Sequence, residues 1–174
     1  MCKNEFAPFV EKGCPLVIGG PLEHVIAAKL IAFEEALLPS FKEYASKIMA
    51  NSRQLAESLI QQGISVLTGG TDNHSFLVDL RTKYPEMTGK QAETYLGLAG
   101  ITVNKNMIPG DSRSPFQTSG LRIGTPAITS RRMTDMKLIA GWILKALEMK
   151  ERAGELREEI KQYALKFPLR DETI

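Results

Sequence analysis

Thr118-Ser119-Gly120-Leu121-Arg122-Ile123-Gly124-Thr125-Pro126 sets one guanidinium inside a run of small and apolar residues. Those surroundings predict a buried charge with no carboxylate close by in sequence. Burying a charge is costly unless an anion meets it. The planar fork of arginine fits a carboxylate through two parallel hydrogen bonds, so an incoming acid is a natural partner for Arg122. A structural arginine paired with a distant Asp or Glu is the competing reading, and spacing alone leaves both open.

Other groups could take part in binding. Gly19-Gly20, ahead of Pro21-Leu22, would place backbone amides at a helix N-terminus, where free N–H groups and the helix dipole favour phosphate. A plain tight turn explains the same pair, because the full G-x-G-x-x-G pattern is missing. Asn104-Lys105-Asn106 offers amide donors and acceptors beside a cation, and Ser114-Pro115-Phe116 adds a hydroxyl and an aromatic face. A flat heteroaromatic ligand with amide-like edges matches that inventory, as does a loop that satisfies itself. His24 follows the glycine pair, and a lone helical histidine is more often a packed or surface residue than a ligand. Asp72-Asn73-His74 are good turn formers through Asx-type bonding. With only 2 histidines in the chain and no carboxylates at metal spacing, no metal site is expected. No GxSxG sequence supports a nucleophile-elbow hydrolase, and the charge-rich stretch Lys150 to Lys161 reads as a solvated helix face.

The elements that must position these groups are legible in outline. Pro15 to Pro21 is a short apolar run broken by Gly-Gly-Pro, the pattern of a strand or extended segment entering a turn. Pro21 suits the first turn of a helix. Leu22, Val25, Ile26, Leu30, Phe33 and Leu37 mark one helical face, which Pro39 interrupts. Phe41, Tyr44, Ile48, Leu55, Leu59 and Ile60 continue as a second helix, with Gly63 as its stop. Ile64 to Leu67 and Phe76 to Leu80 are strand candidates. Thr88-Gly89-Lys90-Gln91 predicts a capping box opening a helix that runs to about Ala99, closed by Gly100. Ile101-Thr102-Val103 is a third strand candidate and Leu121 to Ile123 a fourth. Asn104 to Ser119 between them is too polar and Pro/Gly-rich for regular structure, and loops this long are usually functional or disordered. An amphipathic helix carries Met133 to Leu147, and a last one covers about Gly154 to Lys166. This order predicts an α+β fold, a small sheet covered by helices and preceded by long connecting helices.

The 174 residues, 43% hydrophobic and 24% charged, are those of an ordinary globular protein with one domain or one domain and part of another. A net charge of +2 argues for neither nucleic acid nor a membrane surface. Cys2 and Cys14 make no CxxC pair, and reduced thiols are expected. No apolar run reaches the roughly 18 residues of a bilayer span, and the N-terminus does not read as a signal peptide. A soluble, cytoplasmic protein is the expectation.

Taken together, the motifs resemble the serine hydroxymethyltransferase family. The matching segments are Gly19 to Lys29 (GGPLEHVIAAK), Gly69 to His74, Gly100 to Asn106, Ser114 to Phe116 and Thr118 to Pro126. They stand in the family's order over about residues 1–148, which is more specific than any one of them. The resemblance implies a fold-type I pyridoxal phosphate enzyme that interconverts serine and glycine, with tetrahydrofolate carrying the one-carbon unit. It implies that residues 1–38 end the large cofactor-binding domain and its connecting helix, and that 39–174 form the C-terminal small α+β domain. It further implies that Arg122 grips the amino-acid carboxylate and that Gly20, beside Gly19, lends its backbone to the cofactor phosphate of a neighbouring subunit in a homodimer or higher homo-oligomer. Asn106 matches the residue that bonds the pterin-like ring of the folate, and Ser114, Pro115 and Phe116 match the loop lining that pocket. Asp72 and His74 match family positions without a catalytic role.

The departures carry equal weight. The family's cofactor-bearing lysine lies in a Thr/His/Lys-rich segment, and nothing in this chain resembles it. The histidine that stacks on the cofactor ring, the aspartate on its ring nitrogen and the tyrosines contributed across the dimer have no counterpart either. Ile18 stands where the family often has glutamine. The expectation is therefore the C-terminal part of the enzyme, inactive alone, with apolar faces over residues 1–38 that self-associate or stay unordered. The alternative is a non-catalytic α+β binding or assembly module derived from that enzyme.

Overall fold

The computed structural model describes residues 2–17 and 19–169. The chain divides into two compact units, with the boundary after Lys42.

The first unit is helical. A 3-10 turn at Asn4–Phe6 leads into α1 (Ala7–Glu11), α2 (Gly13–Leu16) and α3 (Glu23–Leu37). The extended segment expected over Pro15 to Gly20 is not formed. A strand needs a ladder partner and this unit supplies none among the described residues, whereas a helical turn closes its own bond, from Val17 N to Gly13 O at 2.7 Å. Short apolar runs are ambiguous in this way. Ile18 lies outside the described residues. Pro21 also falls just before α3 rather than in its first turn. Leu38 adopts φ −70°, ψ 145°, the extended conformation that a following proline imposes, and α4 (Pro39–Gln61) starts at once.

Among residues 2–13, 16, 17 and 19–42, none is buried. Phe9, Phe33 and Leu37 are 71%, 67% and 86% exposed. So many exposed large apolar side chains in one stretch are unusual on a solvated monomer. The chain is therefore expected to self-associate in dilute buffer, with a sedimentation coefficient that rises with protein concentration. A concentration-independent monomer would contradict this.

The second unit holds the core. Leu55, Ala56 and Leu59 of α4 are fully covered, and Gly63 at φ 82° ends the helix as a left-handed cap. Four antiparallel strands follow in the order β1-β2-β4-β3. They are β1 (Ser65–Val66), β2 (Ser75–Asp79), β3 (Asn104–Asn106) and β4 (Gly120–Gly124). The register pairs Val78 with Leu121 and Phe76 with Ile123. These four side chains are buried on one sheet face, as a period of two demands. Buried residues of α5 (Gly89–Leu98) and α7 (Met136–Met149), among them Leu96, Ile143 and Leu147, join the same cluster. The α+β class is as expected. The capping box of α5 forms in full: Gln91 N donates to Thr88 Oγ1 at 3.1 Å and Thr88 N donates to Gln91 Oε1 at 2.9 Å.

Two expected elements shift. Ile101-Thr102-Val103 is not a strand, because Ile101 N closes α5 by donating to Leu96 O at 2.8 Å. The third strand is Asn104–Asn106, which had read as irregular loop. An edge strand of two amides and a lysine carries no apolar alternation, so only pairing with β4 reveals it. The last helix is also broken: a 3-10 stretch, Lys150–Leu156, precedes α8 (Arg157–Leu165). The short α6 (Pro126–Ser130) follows β4 directly.

Candidate functional site

Arg122 is the central residue of β4, between buried Leu121 and Ile123. The expectation of a buried guanidinium is corrected: Arg122 is exposed. Successive strand residues face opposite ways, so the apolar neighbours that suggested burial turn to the core and the arginine turns to the other face. Its side chain makes no hydrogen bond or ion pair among the described residues, so no internal acid claims it. The cost of burial therefore cannot argue for an incoming acid in this chain; an open, unpaired guanidinium remains.

The rest of the run is structural. Thr125 Oγ1 donates to Ile48 O at 3.0 Å and Thr125 N to His74 O at 3.0 Å. These bonds tie the end of β4 to α4 and to the turn before β2. Asn51 Nδ2 reaches Thr129 Oγ1 at 2.9 Å in buried surroundings.

The sheet register decides what shares the open face. Arg122 stands opposite Leu77 on one side and Asn104 on the other, and Asn106 stands opposite Gly120. Arg122 and Asn106 are thus diagonal neighbours on one face, a separation of about 7–8 Å between backbones. Gly120 and Gly124 flank Arg122 on its own strand and add no side chain beside it. Asn106 Nδ2 donates to Met107 O at 2.7 Å, which leaves its amide oxygen unclaimed by that bond.

Ser114, Pro115 and Phe116 lie in the loop entering β4. Gln117 N and Thr118 N both donate to Ser114 O, at 3.0 and 2.9 Å, closing a tight turn. Phe116 projects from it at 83% exposure. Three residues that the sequence reading passed over clamp this loop. Asp111 accepts from Ser119 N at 2.8 Å, Ser119 Oγ at 2.7 Å and Arg113 N at 3.1 Å. Arg113 donates to Met87 O at 2.7 Å and Pro85 O at 2.6 Å. Arg81, paired with Asp79 at 2.8 Å, donates to Gly110 O at 3.1 Å. An aspartate whose carboxylate meets the N–H two residues on is an Asx signature, and that pattern at Asp111-Ser112-Arg113 was the available signal.

Burial raises the Asp111 carboxyl, but donation from Ser119, Arg113 and Ile108 outweighs it and holds the group below the ordinary 3.8. The Arg81 side chain holds Asp79 down in the same direction. A folded value below the unfolded one adds stability that is complete above the unfolded value of 3.8 and is lost as pH falls through the folded value. Asp111→Asn is expected to cost about 1–3 kcal/mol at neutral pH, since an amide cannot accept from all these donors. Urea melts should also show a shallower loss of stability in acid for that variant. Equal stability in both proteins at pH 7 would rule the clamp out.

Gly19 and Gly20 belong to the first unit and are exposed. Gly19 sits at φ 70°, and a Cβ at either glycine would meet nothing within 4 Å. With Leu22, Val25 and Lys29 they line a shallow depression of about 300 Å³. The pair stands three residues ahead of α3, so its amides do not belong to the helix N-terminus as expected. The space beside the two glycines and the one cation, Lys29, suit the phosphate end of pyridoxal phosphate; among the described residues no group here fits its ring. His24 is the exposed second residue of α3.

The Asp72-Asn73-His74 segment is a turn. Ser75 N donates to Asn73 Oδ1 at 2.9 Å, Asn73 N to Thr71 Oγ1 at 3.2 Å, and Asp72 meets Arg53 at 3.3 Å. Among the described residues no three His, Cys, Asp or Glu side chains gather as a metal would require. No helix of the described residues is long and apolar enough to cross a membrane.

One comparison with known proteins bears on this site. The model of the family described as serine hydroxymethyltransferase matches residues 5–143. That span includes the glycine pair, the Asn104–Asn106 strand, the clamped loop and Arg122, and it is most of the chain. The chain belongs to the serine hydroxymethyltransferase family.

Proposed function

We propose that this chain supplies the amino-acid clamp and one wall of the folate pocket for pyridoxal phosphate-dependent exchange of a one-carbon unit between serine and glycine. The observation that carries the reading is the β2–β4–β3 register, which sets Arg122 and Asn106 on one sheet face within a chain of this family. Arg122 holds the substrate carboxylate through its planar fork, which fixes orientation as well as charge. Asn106 bonds the edge of the pterin-like ring, and the Ser114–Phe116 turn lays an aromatic face against it. Gly19 and Gly20 lend backbone amides to a cofactor phosphate, in a homo-oligomer the phosphate of the neighbouring subunit. When bound, pyridoxal phosphate supplies the electron sink that allows the bond between serine Cα and its hydroxymethyl group to break. In this reading residues 1–38 end the large domain and 39–174 form the small one.

The chain is proposed to be inactive alone, because no segment resembles the one that carries the family's cofactor-bearing lysine. The test mixes it with the separately produced N-terminal half of a family enzyme, serine, tetrahydrofolate and pyridoxal phosphate. Turnover is expected from the mixture and from neither half. Turnover by this chain alone would overturn the proposed inactivity, and a mixture indifferent to Arg122→Ala and Asn106→Ala would overturn the site. The second unit contains a hydrophobic core of its own, which favours one alternative, a non-catalytic binding or assembly module derived from the enzyme. Tetrahydrofolate binding without turnover in the mixture would support that module.

A further inference from the structure

The second unit holds a cavity of about 360 Å³ that the site above does not use. It lies among β4, α7 and α8, and its walls include Ile101, Ile128, Ile139, Trp142, Ile160 and Tyr163. The four isoleucines pack against the core but are only partly covered, so the cavity is a gap in the hydrophobic layer. Its lining is mainly apolar, and its size is that of a small-ligand pocket. One charged side chain lines it, Arg131.

The state of Arg131 indicates what the gap would take. Its Nη2 donates to Ala164 O at 2.9 Å, near the end of α8. Its Nε is shut off from solvent and has no hydrogen-bond partner among the described residues. Among the described residues no carboxylate pairs with the guanidinium. A covered, unpaired N–H on a cation is costly, and a turn of the Arg131 side chain toward the adjoining hollow would let an acceptor there meet it. The polar groups of Trp142 are committed elsewhere: Nε1 donates to Glu159 at 2.8 Å, and the ring meets Tyr163 edge-on at 5.0 Å. Thr102 and Tyr163 bring neutral hydroxyls to the lining, and Arg131 is its one charged group.

We propose that this cavity binds a small amphipathic carboxylate, with the apolar body among the isoleucines and the carboxylate on Arg131. The site includes neither Arg122 nor Asn106 and does not depend on the proposed catalytic role.

Trp142 is the single tryptophan of the chain and lines the cavity, so its emission reports this site and not the apolar surface of the first unit. The full chain is titrated with sodium octanoate, octanol and octylamine at neutral pH. Octanoate is expected to change Trp142 emission saturably, and octanol and octylamine to require at least tenfold more. Arg131→Gln should erase the preference for octanoate over octanol. Ile139→Phe, which fills the hollow without touching the cation, should abolish the response to octanoate with the circular dichroism unchanged. This second variant decides the matter if Arg131→Gln does not fold. A response that fails to saturate, equal responses to octanoate and octanol in the native chain, or a folded Ile139→Phe that binds octanoate normally would overturn the proposal.

Discussion

Changing Arg122 to alanine is expected to lower kcat/KM for serine in the two-piece enzyme by about thirtyfold to several thousandfold. That range converts the roughly 2–5 kcal/mol lost when one partner of a hydrogen-bonded charge pair is removed and the other is left unpaired. Arg122→Lys should recover little, because a lysine returns the charge without the planar fork. Affinity for tetrahydrofolate should change far less, since Asn106 and the clamped loop remain. In the isolated chain the same change should move stability by less than about 0.5 kcal/mol, because the exposed guanidinium contacts no described partner. This contrast makes the prediction discriminating. A large stability loss with unchanged turnover would mark Arg122 as a structural residue.

Gly120→Ala is expected to destabilise the second unit by about 3 kcal/mol or more, a large part of the 5–15 kcal/mol that holds a typical domain. A Cβ there would meet Ile108 Cγ2, Val78 O at 2.7 Å and Asn106 O at 3.0 Å. Two of these are carbonyls of the flanking strands, which cannot move aside as the end of a flexible side chain can. The strands would have to part, at the upper end of typical overpacking costs or above. Displacing β3 would also move Asn106 relative to Arg122. Gly97→Ala is the control. Gly97 lies within α5, and a Cβ there meets nothing within 4 Å, so alanine should be neutral or stabilise by up to about 1 kcal/mol. Thermal melts of the two variants should diverge in opposite directions, and equal melting temperatures would refute the packing argument.

The local features were legible because their causes are local. Thr88 and Gln91 meet across a single helical turn, so the capping box could be read from four letters. Leu55 and Leu59 lie one turn apart on α4, and the second helix was visible in their spacing. Pro39 forced Leu38 into an extended conformation whatever surrounds it. Two of the misses fell where a distant partner decides. Asn104–Asn106 is a strand only because β4 lies beside it. Asp111 is an anchor only because Ser119 returns to it.

Arg122 shows both sides of this division. The sequence by itself determined the family, through ordered motifs, and nominated this arginine, the asparagines and the clamped turn as a group. It also determined the α+β class, through a change of apolar period along the chain. Only the tertiary structure decided that the arginine faces outward, that Asn106 shares its sheet face, and that an apolar hollow remains beside Arg131. Those facts depend on strand register and on packing between residues far apart in the chain. A hydrogen-bonded turn is settled by its neighbours, whereas the direction of a strand side chain is settled by the face that the rest of the chain chooses to cover.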